Sequence, residues 1–306
     1  MTYRLLALDI DGTLRAAGEP RVLRRTAEAV RAVQKQGVLV AVATGRGRGG
    51  IPAGMLRGIR PDYWICASGA QVLDKNGAPL YTSRMTAEEM YALVDYCENW
   101  EQPLGFAFTD GSYVYLEYEA LHRSELAAGV DESLQDGEDQ DHHLQEMPLA
   151  AFGALAQEHS AAFSRRYPYF GLRFLYYRDG FCDILRPDQD KAVGLQKLLD
   201  ALELTPAEAV AVGDGDNDCG MLRLAGLGVC VASGNADARA ASDRLCPSPA
   251  EDGVGALCRE LWPEAFAVAD APAPAGGAEP AAAARPDGPA ACAVPASPAA
   301  PAGRRG

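Results

Sequence analysis

The chain has 306 residues, enough for one large core or for two domains. Hydrophobic residues make up 48% and charged residues 23%, a globular balance, and the net charge of −14 argues against nucleic acid or an anionic membrane as the main partner. A phosphorylated substrate remains open, because a bound cation can reverse the local field.

Leu5 to Ile10 is an almost wholly apolar run, as expected of a strand buried on both faces of a parallel sheet. Leu23, Ala27, Val30 and Val33 recur at helical spacing and predict a helix from about Arg21 to Gln36, closed by Gly37. Val38 to Ala43 and Tyr63 to Ala67 read as further strands, giving a βαβ rhythm. After Ser68 the pattern changes. Gln71 to Ser83 reads as a hairpin turning at Asn76-Gly77. Thr86 and Glu89 form a capping box that opens a helix running to about Trp100. Leu104 to Phe108 and Tyr113 to Tyr118 flank Asp110-Gly111 as a second hairpin. The acidic patch Asp131 to Asp141 reads as a solvated loop. A helix over Leu149 to Arg165 follows, then strands Gly171 to Tyr177 and Phe181 to Leu185, joined at Asp179-Gly180.

The α/β rhythm returns with a helix from about Asp190 to Leu202, a strand at Ala209 to Val212 and a helix after Asp218. A short strand at Gly228 to Ala232 and a helix at Gly253 to Leu261 complete it. The expected fold is α/β, a doubly wound Rossmann-like parallel sheet with an inserted α+β cap. The core takes residues 1–70 and 187–266 and the cap 71–186. Residues 267–306 are Ala, Pro and Gly with little else, and are expected to be a disordered tail. Eight scattered cysteines without a C-x-x-C spacing read as thiols of a reducing compartment. With no signal-peptide pattern and no apolar stretch long enough for a bilayer, the expected location is cytoplasmic.

In an open α/β sheet, ligands sit at the carboxyl ends of the strands. Four polar clusters fall at or near such ends, or just inside the following helix: Asp9-Ile10-Asp11-Gly12-Thr13, Thr44-Gly45-Arg46, Lys191, and Gly213 to Asp218. Singly, each has an ordinary explanation. Asp-Gly is a common turn, Thr44 could cap a helix, Lys191 could be a solvated charge, and the last run could be a polar loop. Two features weigh against that. Only four of the 28 basic residues are lysines, and so many carboxylates after a buried strand repel one another without a cation.

Together the clusters fit one chemistry. A carboxylate can attack a phosphoryl group and form an acyl-phosphate. It then needs a metal to screen two anions, an acid/base for the leaving oxygen and the water, and a hydroxyl and a cation for the remaining oxygens. Asp9, Asp11, Asp214, Thr44 and Lys191 supply those parts.

The set resembles the haloacid dehalogenase superfamily of phosphohydrolases, most of all its Cof-type branch. DIDGTL is similar to the first family motif, ATGR to the second, Lys191 to the third and GDGDNDCGML to the fourth. The resemblance implies Asp9 as nucleophile and Asp11 as general acid/base. It implies Mg2+ held by Asp9, the backbone carbonyl of Asp11, and Asp214, with Asp218 supporting the metal from behind or through water. Thr44 and Lys191 would grip the phosphate, with Gly45 and Asn217 as further contacts. The implied function is a phosphatase of a small phosphorylated metabolite, sugar phosphates first and nucleotide or cofactor phosphates next. A phosphotransferase or phosphomutase shares the first step, and a non-catalytic phospholigand sensor could share the fold. The segment GRGGIPAGMLRGIRP departs from the helix the family usually shows after its second motif. His142-His143 reads as part of an exposed acidic loop, and the aromatic strands GSYVYLEY and FLYYRDGF as the cap's own sheet.

Overall fold

A computed structural model describes residues 3–127, 134–137, 141–178 and 180–267. The expected tail beyond residue 267, Asp179 of the predicted turn and much of the acidic patch lie outside the described residues.

The larger sheet follows from short apolar runs: β1 (Leu5–Leu8), β2 (Leu39–Ala43), β3 (Tyr63–Cys66), β4 (Gln71–Asp74) and β5 (Pro79–Thr82). The second sheet takes β6 (Leu104–Ala107), β7 (Ser112–Leu116), β8 (Leu134–Asp136), β9 (Ala150–Ala154), β10 (Arg173–Arg178) and β11 (Phe181–Leu185). β12 (Ala209–Gly213), β13 (Leu227–Val231) and β14 (Arg244–Cys246) return to the first, whose order is β14-β13-β12-β1-β2-β3-β4-β5. Strands β14 to β3 in that order are mutually parallel, and β4 and β5 are antiparallel additions at the edge.

Strand alternation covers both faces of this sheet. Leu6 and Leu8 face a core completed by α1 (Arg24–Lys35) and α8 (Gly253–Leu261). Leu5 and Ala7 face another, closed by α5 (Lys191–Ala201), α6 (Cys219–Leu224) and α7 (Ala236–Ala241). The second sheet, ordered β10-β11-β9-β6-β7-β8, packs one face against α2 (Ala87–Asn99) and α4 (Gln157–Arg166). α3 (Tyr118–Ala127) follows β7. Thr86 caps α2 through the full capping box. Among the described residues, no helix is long and apolar enough to cross a membrane.

Three expectations change. The hairpin at residues 71–83, assigned to the cap, pairs through β4 with β3 and so extends the larger sheet. Ala150–Ala154, expected to lie at the start of a helix, is instead β9, the strand between β11 and β6. A short run of Ala, Phe and Gly carries no period of its own, and its neighbours on both sides decide its state. Leu134–Asp136 within the acidic patch pairs in parallel with β7.

The two crossings between the sheets are tied together by Gln189, which is fully buried. Its Nε2 donates to the Ser83 carbonyl (3.3 Å), Ser83 Oγ (3.2 Å) and the Leu149 carbonyl (3.0 Å), while its Oε1 accepts from Arg186 N at 3.2 Å. Arg186 in turn reaches Glu89 and the Arg84 carbonyl.

Candidate active site

The registers Leu8↔Val42 and Leu8↔Val212 bring the C-terminal ends of β1, β2 and β12 side by side. Asp9, Thr44 and Asp214 therefore leave adjacent strands on one edge. Lys191 begins α5, behind the N-cap Asp190, whose side chain accepts from Val193 N at 2.9 Å.

Lys191 lies at the centre. Its Nζ donates to Asp9 Oδ1 at 2.6 Å and to Asp218 Oδ1 at 2.7 Å, and all three side chains are buried. Burial opposes the ammonium charge, but Asp218 and Asp9 outweigh it and raise the pKa of Lys191. The other oxygen of Asp218 accepts from Asp214 N (2.9 Å) and Gly215 N (3.0 Å), so Asp218 is fully used in shaping the loop and holding the lysine. Asp214 Oδ1 accepts from Thr13 Oγ1 at 2.7 Å.

Each of Asp9, Asp214 and Asp218 offers a carboxylate oxygen within 4.8 Å of the others. Burial pushes Asp9 well above its ordinary value; Lys191 opposes this, and the carboxylates of Asp218, Asp214 and Asp11 add to it. Burial likewise drives Asp214 up to about 6. A cation would relieve this repulsion. The all-oxygen donor set suits a hard divalent ion such as Mg2+. Gly12 is part of the fit: it sits at φ +89°, and a Cβ there would come 2.3 Å from Asp214 Oδ2.

Asp11 faces other partners. β1 ends at Leu8, so Asp9 and Asp11 stand in the following turn and not on a strand face. Arg46 Nε donates to Asp11 Oδ2 at 2.8 Å and Arg15 Nε to Asp11 Oδ1 at 3.1 Å. Partial burial works to raise Asp11, yet Arg46 and Arg15 hold it below the ordinary carboxylate range.

Thr44 is buried, and its Oγ1 accepts from Arg46 N at 3.2 Å. A Cβ added at Gly45 would stand 3.1 Å from Asp183 Oδ2, 3.4 Å from Ser68 Oγ and 4.0 Å from Asn217 Nδ2. The fold thus gathers Gly45 and Asn217 beside a hydrogen bond from Ser68 Oγ to Asp183 Oδ2 (3.0 Å), which joins β11 of the second sheet to the end of β3. Ser68 takes φ +51°, a left-handed conformation held by this junction.

Sequence reasoning missed Arg15, Ser68 and Asp183 and gave Thr13 and Arg46 no role. Arg15 had a signal in its i,i+4 spacing from Asp11. The Ser68–Asp183 pair, 115 residues apart, had none. The histidines are also better packed than expected. His142 is half-buried, stacks on Tyr113 with ring centroids 4.3 Å apart, and meets Asp110 Oδ1 at 3.2 Å. Asp110, His142 and Glu146 lie close enough to share an ion, but Glu146 is engaged by Arg84 at 2.7 Å and by Thr109 N at 2.9 Å.

The glycine-rich segment after Arg46 also has a structural reason. A Cβ at Gly49 would fall 1.7 Å from the Asp110 carbonyl, and one at Gly47 would fall 2.9 Å from the Phe108 carbonyl. The β6–β7 turn rests backbone to backbone on this loop.

Residues 6–257 match the haloacid dehalogenase-like hydrolases. The chain belongs to that family. Among haloacid dehalogenase-like proteins of solved structure, a subclass IIB sugar phosphatase superposes with a TM-score of 0.73 at 22% identity, over 84% of this chain and 98% of that one. A Bacillus subtilis 5-amino-6-(5-phospho-D-ribitylamino)uracil phosphatase is 35% identical over 80 residues, 26% of this chain and 30% of its own length. An Arabidopsis thaliana protein named as a chloroplastic endoribonuclease is 23% identical over 272 residues, 82% of this chain and 45% of its own length. The chain spans less than half the length of both these relatives.

Proposed function

We propose that the protein is a Mg2+-dependent phosphatase of a small phosphorylated metabolite, working through an aspartyl-phosphate on Asp9. The observation that carries this reading is the set of buried Asp9, Lys191 and Asp218 with half-buried Asp214 at the carboxyl edge of the parallel sheet.

A carboxylate oxygen of Asp9 attacks phosphorus, the ester P–O bond breaks, and Asp11 gives a proton to the leaving oxygen. Asp11, then a carboxylate, takes a proton from water. That water attacks the phosphorus, releasing orthophosphate and restoring Asp9. Lys191 and Thr44, with Gly45 and Asn217, hold the non-bridging oxygens. Asp9, the Asp11 backbone carbonyl and Asp214 would hold Mg2+, which when bound neutralises the meeting of two anions. Asp218 positions Lys191 and the Asp214 loop behind them. Arg15 and Arg46 favour the carboxylate form of Asp11, which suits the water step and opposes the protonated form that the leaving-oxygen step needs.

Sugar phosphates are the first substrate class, a choice supported by the ribityl phosphate named for the B. subtilis relative. Nucleotide and cofactor phosphates come next. The second sheet serves as the cap, with its β6–β7 turn and Asp183 against the site, excluding water and contacting the substrate. Buried, free cysteines fit a reducing cytoplasm. The test is orthophosphate release over a metabolite panel with Mg2+ and with EDTA. Turnover is expected with Mg2+ alone and is abolished in Asp9→Asn; a fully active Asp9→Asn enzyme refutes the mechanism.

A further inference from the structure

Away from the catalytic residues, the segment 48–62 and the β4–β5 turn enclose a cleft of about 660 Å³. Its walls carry Arg48, Arg57, Arg60 and Lys75 against one carboxylate, Asp62. In a chain of net charge −14 this is a local reversal of sign. Asp62 is already engaged: its Oδ2 accepts from Val40 N at 2.9 Å and from Gln34 Nε2 at 3.2 Å.

Among the described residues, none of the four cations has a carboxylate within 4.0 Å, whereas Arg15, Arg46, Arg84, Arg186 and Arg259 all do. Two of the four are also held in place. Arg57, at φ +46°, donates from Nε to the Val22 carbonyl at 2.7 Å, and the Arg48 guanidinium lies 4.0 Å over the Trp64 ring. Like charges gathered around one concavity, partly fixed and without counter-charges, make a focused positive field.

We infer that this cleft is a second ligand site, separate from the phosphate-binding edge, for a small anion carrying two or more negative charges. A phosphate-type oxyanion or a polycarboxylate would meet it through the same contacts. Arg46 links the cleft to the catalytic loop, since its Nη1 donates to the Gly50 carbonyl at 3.3 Å while its Nε holds Asp11.

The test is calorimetric titration of the full-length, Mg2+-loaded protein with sulfate and, separately, with tricarballylate. The expected result is saturable binding of at least one of them that weakens by about tenfold or more in the Arg57→Gln/Arg60→Gln/Lys75→Gln variant. Sulfate alone assigns the oxyanion class and tricarballylate alone the polycarboxylate class. All three side chains are exposed and lie outside the catalytic machinery, so phosphatase turnover should stay at the wild-type level. Sulfate held at the catalytic edge would survive in the variant. The inference is overturned if neither anion binds saturably, or if all binding persists unchanged in the triple variant.

Discussion

Lys191 Nζ stands 2.6 Å from Asp9 Oδ1, although the two residues are 182 positions apart. Replacing Lys191 by Met keeps the length and removes the charge, leaving Asp9 and Asp218 buried and uncompensated. Stability should fall by about 3–5 kcal/mol in urea titrations. Turnover should fall by about a thousandfold, read as orthophosphate release. Lys191→Arg should not restore it, because the side chain is 1% exposed and has no room for a guanidinium.

Removing the metal should make stability depend on pH. Burial lifts Asp214 from the ordinary 3.8 to about 6 and Asp9 in the same direction, so the folded state holds more protons than the unfolded one between about pH 4 and 6. Stability of the EDTA-treated protein should therefore rise as pH falls through that window, by on the order of 1 kcal/mol. Asp11 and Lys191 do not disturb the test, since a lowered acid and a raised amine change stability outside the window. Saturating Mg2+ should flatten the profile. Thermal melts at two pH values with and without Mg2+ measure this, and an identical slope in both would contradict the shared cation.

Gly12→Ala should injure the metal site more than the fold. Its Cβ would press on the Asp214 carboxylate, and the backbone would be strained at φ +89°. The expected result is a loss of stability of about 1–3 kcal/mol and a Mg2+ requirement raised about tenfold or more. Activity titrated against Mg2+ concentration separates the two.

Gly49→Ala tests the contact between the sheets. Gly49 is not at positive φ, so the added methyl brings no backbone strain, only the clash with the Asp110 carbonyl. The β6–β7 turn should lift, and kcat/KM for the metabolite should drop by about tenfold, with urea unfolding of the larger sheet little changed.

The parts of the fold that were legible are those where one residue run sets its own state. β1, β2, β3 and β12 are apolar because both faces are covered, and α2 announces itself through Thr86 and Glu89. Asp9, Thr44 and Asp214 stand out as polar residues directly after apolar strands, whereas Lys191 opens α5 and stands out only because lysine is scarce in this chain. β9 was not legible, because Ala150–Ala154 becomes a strand only through β6 and β11. A hairpin reads alike in either sheet, and the pairing of β4 with β3 is what joins residues 71–74 to the larger one. Arg46 against Asp11, and Ser68 with Asp183, depend on chain segments that meet only after folding.

The clasp made by Gln189 has a practical meaning for anyone recombining such proteins. Ser83 and Leu149 sit on one side of it and Arg186 on the other, so a transplant cut at either crossing would sever donors and acceptors that lie out of reach of water. A foreign module would have to bring its own glutamine, or keep this one together with all three of its partners, Ser83, Leu149 and Arg186.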